Sequence, residues 1–318
     1  MNPSENNLPK IITICGPTAT GKSDLAVDIA LYLKEHHNLH SEIISTDSRQ
    51  IYKGLNIGTG KITLEEMRGI PHHMLDIVYP LDTYGVFAFA KDATAIMNDI
   101  HARDGIVILV GGTGQYIDAL TTGHSGAPVP PNETLRSELE QKTIGEVKDR
   151  LYVITLKHGC DISHVDLKNK RRMIRAIEII DELGYIPKIE KVKNFNILHI
   201  GLDTDTEKLK ERISKRLDAR IDNGMVEESI QLLAEGRLTH ERMHTLGLEY
   251  RYISLFLEKT LSDIEWREQL FYAIWHYAKR QRTWFKRNTD IIWFDSQKIK
   301  NTKEKEKVFT LITTKLLQ

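Results

Sequence analysis

Eight residues, Gly16-Pro17-Thr18-Ala19-Thr20-Gly21-Lys22-Ser23, hold the densest chemistry in this chain of 318 residues. Their spacing, G-x-x-x-x-G-K-S, is that of a loop that cradles phosphates. Two glycines allow a backbone curl that points several N–H groups into one concavity. A helix beginning near Lys22 adds its positive end, and Lys22 adds a full charge. The Ser23 hydroxyl is placed to reach Mg2+. Such a loop binds a di- or triphosphate; it does not decide which compound, or whether a phosphoryl group moves.

A carboxylate follows in Ile43-Ile44-Ser45-Thr46-Asp47-Ser48-Arg49-Gln50-Ile51-Tyr52. Asp47 stands where an apolar run ends, beside the first loop if the two runs are parallel strands. It can hold magnesium through water, cap a turn, or take a proton from a substrate. The dense polar group around it, near a phosphate site, favours function over capping. A third run ends in Val110-Gly111-Gly112-Thr113-Gly114. A Walker-type ATPase carries an acidic residue there. Glycines instead let a bulky substrate or another backbone approach. That counts against a motor or switch NTPase and leaves a small-molecule kinase open.

Two basic runs stand out. Lys168 to Glu178 has helical spacing, with Arg171 and Arg175 on one face and Met173, Ile174 and Ile177 pointing elsewhere. His276 to Asn288 has five lysines and arginines, no acidic residue, and interleaved aromatics; Lys279, Arg282 and Lys286 align at spacings of three and four. Each alone is an ordinary solvated face. Together, in a chain with 44 basic and 44 acidic residues, they form local cationic tracks suited to a phosphate backbone. Arg212 and Arg216 form a third pair, on a helix able to aim an arginine at charge developing on phosphates. His36, His37, His40, His72 and His73 read as hydrogen-bonding residues of helix ends and loops, not metal ligands.

These groups need elements to hold them. Apolar runs at Ile11 to Cys15, Glu42 to Ser45, Ile106 to Val110, Ile197 to Leu202 and Ile291 to Phe294 alternate with helical patterns. Short continuous apolar strands between helices predict a parallel sheet covered on both faces, with the ligand at the strands' carboxyl ends. Thr121 to Pro131 has loop composition and opens a mostly helical insertion over 123–195, so residues 1–122 and 196–318 form the core domain. Two cysteines exclude a disulfide framework and a cysteine zinc site and suit a reducing cytoplasm. No signal peptide or bilayer-length apolar run is evident, so a cytoplasmic protein without membrane contact is expected.

Taken in order, these motifs resemble the tRNA dimethylallyltransferase (isopentenyltransferase) family. The resemblance rests on residues 16–23, Asp47 to Gly54, Asn56-Ile57-Gly58-Thr59, Pro71-His72-His73, Leu75-Asp76-Ile77 and Val110 to Tyr116. It continues through Leu135-Arg136, Asn169 to Glu178, Ala278-Lys279-Arg280-Gln281, Thr283-Trp284-Phe285 and Trp293-Phe294-Asp295. The resemblance implies an α/β fold, a P-loop nucleoside-kinase-like parallel sheet flanked by helices, with a helical insertion subdomain. It implies transfer of a dimethylallyl group from dimethylallyl diphosphate to the exocyclic amine of the adenosine at position 37, in the tRNA anticodon stem-loop. Residues 16–23 and Mg2+ at Ser23 would then hold the leaving diphosphate. Asp47 is the implied base, with Thr18 and Arg216 acting on the diphosphate. Asp47, Ser48, Arg49, Gln50, Thr113, Arg136 and the run Arg171, Arg172, Met173, Ile174, Arg175 match tRNA-contacting positions; Lys279 and Arg282 fall in another matching stretch. A monomer is expected. The chain departs from the pattern at Gly60, where the family often has Ala, at Gly247-Leu248-Glu249 for Gly-Tyr-Lys, and at Trp275-His276 for Arg-Gln.

Overall fold

The computed structural model describes residues 8–123, 126–187 and 195–317. Its first elements are β1 (Lys10–Cys15), α1 (Lys22–His37), β2 (Ser41–Ser45), α2 (Leu64–Met67), β3 (His72–His73), α3 (Val86–Ala102), β4 (Ile106–Val110) and α4 (Gly114–Thr122). Helices α5 (Glu133–Glu140), α6 (Ile144–His158) and α7 (Lys170–Leu183) follow. The chain then forms β5 (Asn196–Asp203), α8 (Thr206–Asp222), α9 (Met225–Ala234), α10 (His240–Leu246), α11 (Leu248–Leu257), α12 (Asp263–Phe285), β6 (Ile292–Asp295) and α13 (Thr302–Ile312). Contacts divide it into two compact units, Met1–Thr122 with Lys193–Gln318, and Gly123–Val192. In sequence the second unit lies between α4 and β5. His124 and Ser125, expected in a loop, lie outside the described residues.

In the first unit six strands lie in the order β3-β2-β4-β1-β5-β6, every neighbouring pair parallel. Both faces are covered, which explains the unbroken apolar strands. Ile12 and Ile14 of β1 pack with Leu25, Ile29 and Leu33 of α1 and Ile312 of α13. Ile11 faces the other way, with Phe89 and Met97 of α3. Each such side chain, fully buried, stabilises the fold by about 1.5–3 kcal/mol. A third cluster forms among α8 to α12 around Trp266 and Tyr250, and it takes in Ile51, Tyr52 and Leu55. That cluster anchors the segment just after Asp47.

Strand β3 carries no apolar signal in the sequence. It pairs through its backbone with Ile43 and Ile44; His72 Nδ1 lies 2.8 Å from the Ile70 carbonyl, and His73 meets the buried Glu42 carboxylate. His73 Nε2 lies 2.5 Å and His40 Nε2 2.6 Å from the Glu42 carboxylate, and Arg103 Nη1 donates to it at 2.7 Å. Burial opposes the Glu42 charge, but these three partners outweigh it and hold the carboxyl down to about 2, from 4.5. A carboxyl depressed by folding contributes stability that is complete above its unfolded value and is lost as pH falls toward the folded one. Glu42→Gln is therefore expected to lower the melting temperature by several degrees at pH 7 and to flatten its decline below pH 4.5. Thermal unfolding across pH 2–7 checks this; a parallel decline in both proteins would disprove it.

In the second unit α5 to α7 pack around Leu139, Val147, Leu151, Met173, Ile174 and Ile177.

Candidate active site

The phosphate loop begins where β1 runs out. Gly16 has φ +136, and a Cβ there would stand 2.1 Å from the Leu202 carbonyl oxygen of β5, so only glycine lets the loop leave the sheet here. Gly21, at φ +79, starts α1. Inside the loop, Lys22 Nζ donates to the Pro17 carbonyl at 2.7 Å, and Thr20 Oγ1 donates to the same oxygen at 2.9 Å. Arg216 Nη1 reaches in from α8 and donates to Thr18 Oγ1 at 3.2 Å.

Helix α12 completes the loop. Gln281 is buried; its Oε1 accepts from Thr18 N at 2.9 Å and its Nε2 donates to the Gly112 carbonyl at 2.9 Å. One amide thus ties the loop to the turn after β4. The glycines of that turn make room for side chains of the protein itself. A Cβ at Gly112 would meet Gln281 Nε2 at 2.0 Å, and one at Gly114 would meet Trp284 Cδ1 at 2.1 Å. Gln281 was not among the expected site residues. Its signal was present: Ile274, Ala278, Gln281 and Phe285 share one buried helix face, and an amide on such a face needs buried partners.

Asp47 follows β2. Its Oδ1 accepts from Arg49 N at 2.8 Å, so it does cap its own turn. Around it, Ser45 Oγ donates to Gln50 Oε1 at 3.2 Å and Ser48 N donates to Thr113 Oγ1 at 3.2 Å. Tyr277 of α12 lies beside Thr113. Ser48, Arg49, Gln50 and Thr113 are therefore gathered at one turn.

Electrostatics join the two parts. Burial, and then the neighbouring Arg216, press the Lys22 ammonium down to about 8, while Asp47 acts the other way. Burial, and then Arg220, press Arg216 down to about 10, with Glu249, Asp47 and Asp24 opposing. Two cations whose charge is so poorly compensated favour an anion beside them. A cavity of about 740 Å3 opens there, lined by Lys22, Ser23, Gly60, Arg212, Arg216 and Lys300 among others. Among the described residues no group of three or more His, Cys, Asp or Glu is arranged to hold a metal. A single hydroxyl, Ser23, beside a phosphate seat nevertheless fits Mg2+, which keeps several waters and takes phosphate oxygens as ligands.

The residues matched to RNA contact are unequal in what they offer. Lys279 is exposed on α12, its ammonium 5.6 Å from the Trp275 ring centre. Arg282 is not presented as the charge pattern suggested: it is 17% exposed, donates to Asp203 Oδ1 at 2.7 and 3.0 Å, and ties α12 to the end of β5. In the second unit, Arg136 Nε at 2.7 Å and Arg175 Nη1 at 3.0 Å converge on Glu178, whose side chain is wholly buried. Arg175 Nη2 also donates to the Val129 carbonyl at 2.6 Å. Met173 and Ile174, grouped with the RNA-contacting run, have their side chains in the core, at 0% and 3% exposure. Arg171 and Arg172 alone of that run are exposed. Helix period explains the split: one face of α7 packs, and Glu178, three residues beyond Arg175, draws two arginines inward.

A family model described as IPP transferase matches residues 50–288. The chain is 41% identical over 282 residues to tRNA dimethylallyltransferase 2 of Treponema denticola, covering 87% of this chain and 91% of that protein. It is 38% identical over 295 residues to tRNA dimethylallyltransferase 1 of Parabacteroides distasonis, covering 90% and 92%. Among solved structures, the full-length tRNA isopentenylpyrophosphate transferase of Bacillus halodurans is 31% identical and matches with a TM-score of 0.72 over 96% of each chain. A eukaryotic dimethylallyltransferase acting on tRNA matches with a TM-score of 0.76 over 96% of this chain and 79% of that one; at 24% identity it speaks for the fold alone.

Proposed function

The chain belongs to the IPP transferase family, and on that footing we propose that it is a tRNA dimethylallyltransferase. The donor is dimethylallyl diphosphate, and the acceptor is the exocyclic N6 amine of adenosine 37, beside the anticodon. One observation carries this reading: Arg216 reaches from α8 onto Thr18 of the phosphate loop, and with Lys22 it lines one cavity at that loop, with the Asp47 carboxylate favouring the charge of both. An anion seat and a base then serve one site.

On this reading the loop, Lys22, Thr18 and Arg216 hold the diphosphate. They stabilise the negative charge that grows on it as the bond between the allylic carbon and oxygen breaks. The N6 nitrogen forms the new bond to that carbon, and Asp47 takes the proton the amine gives up. Ser23 would hold Mg2+, which when bound would add positive charge beside the leaving diphosphate. An adenine amine is a poor nucleophile, so placing it by the turn of Ser48 to Gln50 and Thr113 matters as much as removing its proton. An anticodon-loop adenosine is single-stranded already, which makes its extrusion inexpensive. Of the matched positions, Lys279 in the first unit, and Arg171 and Arg172 in the second, are exposed cations suited to an RNA backbone. No helix among the described residues is long and apolar enough to cross a membrane.

A direct assay tests the reaction. The protein is incubated with Mg2+, labelled dimethylallyl diphosphate, and either unmodified tRNA or AMP; a parallel set carries labelled ATP. Label is expected in tRNA and not in AMP. Phosphoryl transfer from ATP with no prenyl transfer would make the protein a kinase and end this reading.

A further inference from the structure

Behind Arg216, one helical turn along α8, stands a second guanidinium. Arg220 Nη1 donates to Glu249 Oε1 at 3.0 Å and to the Gly58 carbonyl at 3.2 Å. The Arg220 and Glu249 side chains are 14% and 13% exposed. Both arginines lie against Gly60, at φ +58: a Cβ there would stand 2.0 Å from Arg220 Nη2 and 2.5 Å from Arg216 Nη2. The turn that carries Gly60 is itself fixed. Glu228 accepts from the backbone N–H groups of Asn56, Ile57 and Gly58 at 2.9, 2.8 and 3.2 Å, and from the Tyr250 hydroxyl at 3.2 Å.

Two arginines four apart on a helix repel each other, and more strongly when half-buried. Each is also long enough to compete for the same anion. A carboxylate fixed on one of them removes both problems. Only Arg216 donates to the phosphate loop; among the described residues Arg220 spends its hydrogen bonds on Glu249 and Gly58. Gly60 and Glu249 are two of the positions at which the chain departs from the pattern it resembles, and the fold sets both against the same guanidinium.

We propose that Glu249 and Arg220 are positioning residues for the diphosphate end of the donor. Their ion pair holds Arg220 back on the Gly58 carbonyl and leaves Arg216 aimed at Thr18, while Gly60 lacks a side chain because both guanidinium groups occupy its space. This rests on the reading that the diphosphate sits at the phosphate loop with Arg216 on it. It gives Glu249 a role toward the donor, where a basic residue at the same place would face a different task. The charges agree: Arg220 repels the Arg216 guanidinium and Glu249 attracts it, while Arg216 stays charged at neutral pH.

The test uses inorganic diphosphate as a product inhibitor of the full-length enzyme, with Arg216→Ala as benchmark. Glu249→Gln keeps size and hydrogen bonding but removes the charge. It frees Arg220 to push Arg216 off Thr18, and it is expected to raise the inhibition constant for diphosphate and the KM for the donor by about tenfold, the loss of the aimed Arg216 contact, with the KM for tRNA unchanged; a fall in the inhibition constant, which removal of a negative charge alone would give, overturns the proposal. Gly60→Ala pushes on the same guanidinium tips without changing charge, and it is expected to move the same two constants in the same direction. It decides the matter if Glu249→Gln does not fold. Unchanged diphosphate inhibition in the folded variants would overturn the proposal, as would a rise confined to the KM for tRNA. If Arg216→Ala itself leaves diphosphate inhibition unchanged, the fault lies in the placement of the diphosphate, and the proposal falls with it.

Discussion

Asp47→Asn is expected to cut the rate of prenyl transfer by about 10^3-fold while leaving the affinity for an unreactive donor analogue within about twofold of the parent. Two roles converge on this carboxylate, and the substitution separates them. Asp47 Oδ1 caps its own turn by accepting from Arg49 N at 2.8 Å. An asparagine oxygen can accept that same hydrogen bond, so Ser48, Arg49 and Gln50 keep their places. What asparagine cannot do is take a proton from an adenine amine. Asp47→Ala removes both functions, and it should add a rise in the KM for tRNA as the turn loosens. Single-turnover rates with saturating tRNA, beside donor binding, distinguish the cases. If Asp47→Asn transfers at close to the parental rate, Asp47 is a turn cap and the base lies elsewhere.

The second large effect concerns Lys22. Burial, then Arg216, bring its ammonium down to about 8. A cation of lowered pKa carries nearly all its charge a unit or more below that value and loses it as pH rises through it. Diphosphate affinity is therefore expected to begin weakening within about one unit below pH 8 and to fall above it by up to about tenfold per pH unit. Lys22→Met should bind diphosphate about 10^2-fold more weakly at pH 7.5, as one buried charge-assisted contact is lost, and its affinity should no longer decline across pH 8–9. Calorimetric titration with diphosphate from pH 7.5 to 9.5 provides the comparison. A decline that survives in Lys22→Met would assign the titration to another group.

Much of this site could be read from the chain because its elements obey short-range rules. The runs at 11–15 and 106–110 are continuous and apolar, since the sheet is covered on both faces, and each lies within a strand of nearly the same extent. The phosphate loop is legible because glycine is forced at two positions, once by the Leu202 carbonyl and once by the turn into α1. What escaped notice depends on partners far away in sequence. Strand β3 is two histidines long and is held by β2 and by Glu42, so no local pattern marks it. Gln281 matters through Thr18 and Gly112, both more than 160 residues distant. Arg282 lines up with Lys279 and Lys286 on a helical wheel, and only the fold brings Asp203 to it. Likewise Arg136 and Arg175 read as free charge until Glu178 is seen between them. Periodicity tells which way a side chain points; it does not tell which counter-charge waits there.

The amide bridge from Gln281 to Thr18 joins residues 263 positions apart. During synthesis, then, the ribosome makes the sequence motif early and its last support late. Strand β5, which flanks β1, and helix α12 must both emerge before the cradle has walls. A truncated chain ending before α12 would keep every letter of the motif and lack the pocket those letters advertise.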